Sequence, residues 1–204
     1  GNNAMEMHDA ATGKILWGYS NGSGGDNGRG VCMDVDPAHL GVECWSSQGG
    51  LFNAKGELIS DKKPSQINFA IWWDGDLLRE TWDRATIDKW IPAKEKTERV
   101  FSAYTYHSGT WINGTKATPV LSADLFGDWR EEFIIPKSDS SELQIFSTTS
   151  ETTYRMPTLM HDPAYRTQVA AQNAGYNQPP HTSFYLGEGM TFPVKWESVY
   201  TVPK

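Results

Sequence analysis

Ile67-Asn68-Phe69-Ala70-Ile71-Trp72-Trp73-Asp74-Gly75-Asp76 sets the theme of this chain: an apolar, strand-like run ends in two carboxylates at a turn, and Glu80 follows. The arrangement recurs on either side. Upstream stands Asp34-Val35-Asp36, followed by Glu43; downstream stands Asp124-Leu125-Phe126-Gly127-Asp128, followed by Glu131 and Glu132. Carboxylates this close repel one another unless a cation holds them, and calcium favours several oxygen ligands from Asp, Glu and backbone carbonyls. A lone Asp-x-Asp at a strand end is ordinary turn chemistry, since Asp bonds its own backbone there. Three in one local context point to metal, with Asp34, Asp36, Glu43, Asp74, Asp76, Asp124, Asp128 and Glu131 as candidate ligands. None matches a complete EF-hand loop. Asp34, Asp74 and Asp124 stand 40 and 50 residues apart, a period seen in propeller blades and related β repeats. The expectation is a calcium-stabilised repeat β protein.

Composition narrows the class. The 204 residues suffice for one domain with a substantial core. A net charge of −7 leaves no basic stripe to neutralise phosphates, so a nucleic-acid partner is not expected. No apolar run is long enough to span a bilayer and no signal peptide is evident, so no membrane partner is expected either. The 9 Trp, 8 Tyr and 8 Phe suit strands. Core packing accounts for most of them, and the remainder offer flat faces to sugar rings.

Strands are expected at 5–8, 15–20, 31–35, 42–46, 57–60, 67–73, 78–83, 86–91, 99–106, 119–122, 131–135 and 143–147, with one short helix around 163–171. The Gly-rich stretch 20–30 is too long for a tight turn and reads as a functional loop. Cys32 and Cys44 fall on the two arms of a hairpin turning at 36–41. They either bridge across the ladder or pack as two small core residues. His161-Asp162 reads as a structural pair at a strand end, and Asn21-Gly22-Ser23 and Asn113-Gly114-Thr115 as turns before glycosylation sequons. The strands make up about three to three and a half four-stranded sheets, whereas propellers close with about four or more blades. The chain also begins without an initiator Met, directly in a strand. A fragment is expected, with the rest of the ring supplied by another chain or lost.

Several strings carry a closer likeness. Asn68 through Asp76, Asp124-Leu125-Phe126-Gly127-Asp128-Trp129-Arg130-Glu131-Glu132 and Asn177-Gln178-Pro179-Pro180-His181-Thr182-Ser183-Phe184-Tyr185-Leu186-Gly187 resemble the rhamnogalacturonan lyases of polysaccharide lyase family 11. Asp9 through Trp17 and Tyr154 through Arg166 do the same. The resemblance implies an all-β chain forming the C-terminal portion, about three to four blades, of an eight-bladed β-propeller with calcium-binding loops. It also implies a secreted enzyme that cleaves the rhamnogalacturonan I backbone of pectin by β-elimination at galacturonate. The N-terminal half of the same ring would be its partner. A carbohydrate-binding propeller without catalysis is the alternative.

The chemistry sets requirements. The C5 proton of a uronate is weakly acidic beside a negative carboxylate, and a cation on that carboxylate stabilises the charge that develops. A base takes the proton and an acid protonates the departing C4 oxygen. By resemblance, the active-centre calcium ligands fall at Asn173, the Gly175 carbonyl and Asn177, which are expected to alternate along one strand-like segment. Gly175 departs from the family, where a small residue with a side chain is expected; a carbonyl ligand tolerates that. Asn113-Gly114-Thr115-Lys116 matches the sugar-contacting loop, with Lys116 as general base or carboxylate binder. Arg29, in Gly28-Arg29-Gly30, matches a catalytic arginine that clamps a carboxylate, and Tyr176 either protonates the leaving oxygen or stacks on a sugar. Histidine ligands expected from upstream blades have no counterpart in this sequence.

Overall fold

The computed structural model describes residues 5–20, 22, 27–174 and 178–191. Strands β1 (Met5–His8) and β2 (Ile15–Tyr19) form a hairpin, and three larger antiparallel meanders follow in chain order. The first sheet contains β3 (Gly30–Met33), β4 (Glu43–Ser46), β5 (Leu51–Asn53) and β6 (Leu58–Ser60). The second contains β7 (Phe69–Ile71), β8 (Glu80–Asp83), β9 (Thr86–Ile91) and β10 (Lys96–Ser102). The third contains β11 (Leu121–Ala123), β12 (Glu132–Pro136) and β13 (Leu143–Phe146). A short helix α1 (Ala103–His107) follows β10, and α2 (Pro163–Ala171) follows the third sheet.

Side-chain alternation explains how the sheets stack. All of β7 is buried. Phe69 and Ile71 join Trp73, Trp82, Phe133 and Ile135 in a core shared by the second and third sheets. Ala70, on the opposite face, joins Val31, Met33, Trp45 and Trp90 in a core shared by the first and second. A third core sets Trp72, Ala123 and Trp129 against Leu159, Tyr165 and Leu186 of the C-terminal segment. Each buried large side chain contributes about 1.5–3 kcal/mol, so the aromatics hold sheet against sheet. Two backbone bonds repeat the same latch: Arg79 N–H donates to the Asp34 carbonyl and Glu131 N–H to the Trp72 carbonyl, both at 2.8 Å.

The expected strands fall within a few residues of the observed ones, and β9 and α2 match end to end. The exceptions have physical reasons. β5 is only three residues long and sits between Gly49-Gly50 and a tight turn, too short to show alternation. The run 99–106 stops being a strand at Ser102, whose hydroxyl accepts the Thr105 N–H and caps α1. Tyr104 and Tyr106 alternate like strand residues yet are both exposed. Asp162 ends no strand: it caps α2 through the Ala164 N–H. Cys32 and Cys44 are direct cross-strand partners and free thiols.

Candidate active site and acidic loops

Strands β3, β7 and β11 begin at one end of the sheets and finish at the other, about 10 Å away at roughly 3.3 Å per residue. The two ends carry different chemistry. At the starting end, Arg29 precedes β3 and donates Nη1 to the Lys116 carbonyl at 2.7 Å. Buried Asn68 precedes β7 and donates Nδ2 to the carbonyls of Lys116 (2.9 Å) and Ala117 (3.0 Å) and to Asp83 Oδ1 (2.8 Å). The loop they grip is itself shaped: Asn113 (φ 67) and Ala117 (φ 51) are left-handed on either side of the 3-10 turn Gly114–Lys116. The Trp111 indole donates to the Gly114 carbonyl at 3.0 Å.

Asn173 reaches the same end, donating Nδ2 to the Val120 carbonyl at 2.6 Å just before β11. Gln172 beside it bonds both the N–H and the carbonyl of Ser122, at 2.8 and 2.5 Å. Asn173 is a left-handed turn residue (φ 67) after α2, so the extended segment expected from 173 to 177 does not include Asn173. Gly175, Tyr176 and Asn177 lie outside the described residues. Arg29, Asn113, Gly114, Thr115, Lys116 and Asn173 are thus brought to one end, by bonds that fix main chain.

At the finishing end the acidic loops share a clamp that the sequence did not reveal. Glu43 Oε2 accepts the N–H groups of Val35 and Asp36, Glu80 Oε2 those of Trp73 and Asp74, and Glu132 Oε2 those of Leu125 and Phe126. Each glutamate opens the second strand of its sheet. Burial pushes all three carboxyls up, to about 8 for Glu43 and Glu80 and about 7 for Glu132.

Glu132, not Glu131, therefore occupies the ligand-like place in the third loop. Neighbouring strand residues point opposite ways, and Glu131 turns into the seam between sheets. It is fully buried there, pairs with Arg79 at 3.1 Å and accepts the Tyr165 hydroxyl at 2.7 Å. Arg79 also donates to the Pro180 carbonyl and lies over the Trp72 ring at 3.8 Å.

The three loops differ in how their charge is met. Asp74, Asp76 and Glu80 bring ligand atoms within 4.8 Å of one another, a spacing that suits a metal. Lys89, on β9, already places its ammonium among them, touching Asp74, Asp76 at 2.6 Å and Glu80 Oε1 at 3.0 Å. Burial opposes the charge on Lys89, but the carboxylates outweigh it and raise its pKa above the ordinary value. In the first loop, Asp34 Oδ1 and Glu43 Oε1 are buried with no hydrogen-bond partner among the described residues. Asp34 Oδ2 accepts the Tyr185 hydroxyl and the Glu188 N–H, both at 2.6 Å. Two orphaned carboxylate oxygens fit a cation. Asp36 closes its own turn through the Ala38 N–H. In the third loop, Asp124 is bonded by Gly127 N–H, Thr158 and Leu159 N–H. Asp128 is half exposed and paired with Arg130, so neither carboxylate resembles those of the first loop in its hydrogen bonding.

Residues 1–195 match the family model described as rhamnogalacturonan lyase family 11, C-terminal domain. The chain belongs to this family. It is 53% identical over 187 residues to the rhamnogalacturonan endolyase YesW of Bacillus subtilis (strain 168), covering 91% of this chain and 29% of that protein. It is 49% identical over 207 residues to the rhamnogalacturonan exolyase YesX of the same organism, covering 94% of this chain and 33% of that protein. Among solved structures, the crystal structure of YesW superposes with a TM-score of 0.86 at 52% identity, covering 91% of this chain and 31% of that one. A Bacillus licheniformis rhamnogalacturonan lyase gives 0.88 at 50% identity, covering 94% and 32%. The chain thus spans about a third of the length of these relatives.

Proposed function

We propose that this chain forms the C-terminal blades of an eight-bladed propeller that cleaves rhamnogalacturonan I by β-elimination at galacturonate. The observation that supports this most is the Asn113–Lys116 loop, held by Arg29 and Asn68 at the same end as Asn173. In this reading Lys116 takes the C5 proton, and the C5–H electron pair becomes the C4–C5 double bond as the C4–O bond breaks. Tyr176 gives a proton to the departing oxygen. Arg29 positions Lys116 through its carbonyl and turns positive charge toward the uronate carboxylate. Asn113, Gly114 and Thr115 contact the sugar.

Asn173, the Gly175 carbonyl and Asn177 would hold calcium, which when bound neutralises the substrate carboxylate and acidifies the C5 proton. Upstream blades complete that site and the ring, and a polymeric substrate places the reaction outside the cell. Calcium in the Asp34–Glu43 loop would be structural, since the loop lies at the opposite end of the strands.

The test is ultraviolet absorbance of unsaturated uronate as the protein, with its upstream blades, acts on rhamnogalacturonan I. A rise that needs calcium and is lost in Lys116→Met supports the reading. Near-normal turnover in that variant removes Lys116 as base. A flat trace with retained binding marks a carbohydrate-binding propeller instead.

A further inference from the structure

Beside the Asn113–Lys116 loop opens a cleft of about 440 Å³ that the proposed chemistry does not use, lined by Arg84, Arg99, Tyr104 and Trp111 among others. It lies at the starting end of the strands. Arg84 sits in the turn between β8 and β9, next to Asp83, and Asn68 links Asp83 to the Lys116 carbonyl. Trp111, on the other wall, donates to the Gly114 carbonyl. The cleft and the candidate active site therefore share their supporting residues.

Its lining has a definite chemistry. The Arg84 guanidinium lies 5.7 Å from the centre of the Trp111 ring, and Tyr104 is largely exposed. Arg99 is oriented by Asp88, which bonds its Nε. The two carboxylates near these arginines, Asp83 and Asp88, are both engaged, the first by Asn68 and the second by Arg99 and Gln66. Guanidinium groups bind carboxylates through paired, charge-assisted hydrogen bonds, and aromatic faces offer flat apolar area to a sugar ring. Arg84 also holds φ at 60 in a two-residue hairpin turn, where glycine is the usual occupant.

We propose that this cleft is a distal subsite for an acidic sugar, binding a second uronate of the same polysaccharide through Arg84, with Arg99 and the Trp111 and Tyr104 faces beside it. The inference rests on the lyase reading above for its substrate class. Arg84→Gly is the chosen probe, because glycine accepts the left-handed turn and keeps the fold. Calorimetric titration uses the protein with its upstream blades and rhamnogalacturonan oligosaccharides of increasing length, native and with their carboxyl groups reduced.

The wild type gains affinity as native oligosaccharides lengthen into the cleft, and Arg84→Gly loses roughly tenfold of that gain, as expected for one charge-assisted contact. Carboxyl-reduced oligosaccharides show no difference between the two proteins. Equal length dependence in both proteins with native oligosaccharides overturns the subsite while leaving the lyase reading intact. Failure of the wild type to bind any of the oligosaccharides overturns both.

Discussion

The loops after β3 and β7 start from the same clamp and end in opposite solutions. In both, a buried glutamate at the start of the next strand accepts two loop N–H groups through one oxygen. Its other oxygen is met differently in the two loops. In the second sheet Lys89 supplies a positive charge from β9. In the first, the corresponding third strand is Leu51-Phe52-Asn53, which carries no cation; Glu43 Oε1, like Glu80 Oε1, accepts no hydrogen bond among the described residues, but unlike it has no ion-pair partner among them either. One residue on a neighbouring strand thus separates a loop whose carboxylates face a cation from one whose buried oxygens face none among the described residues. Similar acidic spelling does not mean similar ligands.

The largest effect should come from breaking the lysine solution. Lys89→Met leaves three clustered carboxylates, Glu80 among them fully buried. Removing one partner of a buried charge set costs about 3–5 kcal/mol, read as a lower midpoint in urea or heat. Added calcium should recover part of that loss in the variant, because the carboxylates already stand at metal-ligand spacing. A cost below about 1 kcal/mol, the range of an exposed pair, would mean that Lys89 does not neutralise the cluster.

Next in size is the removal of calcium. If the first loop holds an ion, a chelator should lower stability by about 2.7 kcal/mol for calcium at a hundred times its dissociation constant. Glu43→Gln should make the protein insensitive to the chelator at this loop, since the amide oxygen can still accept the Val35 and Asp36 N–H groups while the charge is gone. An unchanged chelator response in Glu43→Gln would move the calcium elsewhere. The same substitution at Glu80 should leave the response to chelator untouched, which separates the two loops directly.

How much of this was legible follows from where each signal lives. The strands were readable because their alternation is local, as in β9, and the helix α2 because Asp162-Pro163 starts it. The acidic loops were visible as spelling, but the partner of each carboxylate comes from another strand. Lys89 is 13 residues beyond Asp76 in the chain (89 − 76) and reaches it only through the hairpin that pairs Thr81 with Asp88. Glu131 and Glu132 are adjacent in sequence and separated by the pleat. At the other end, Asn68 carries no motif of its own, yet it joins Asp83 to Lys116 across two long separations.

The smallest predicted effect gives the sharpest test of the spelling itself. Asp128 looks like a ligand beside Asp124, as Asp76 does beside Asp74. Its carboxylate is as exposed as that of Asp76 but has different partners: it is bonded to the Arg130 N–H at 3.1 Å and to the Arg130 guanidinium, with no lysine shared with a buried glutamate among the described residues. An ion pair of that kind contributes about 0–1 kcal/mol. Asp128→Asn should therefore change stability by about 0.5 kcal/mol or less and leave the response to chelator as it was. The matching change Asp76→Asn should cost more, because Asp76 faces the Lys89 ammonium at 2.6 Å alongside Asp74 and buried Glu80. If the two substitutions proved equal and both were sensitive to calcium, the third loop would be a metal site built like a calcium version of the second. The difference would then lie only in which cation fills it.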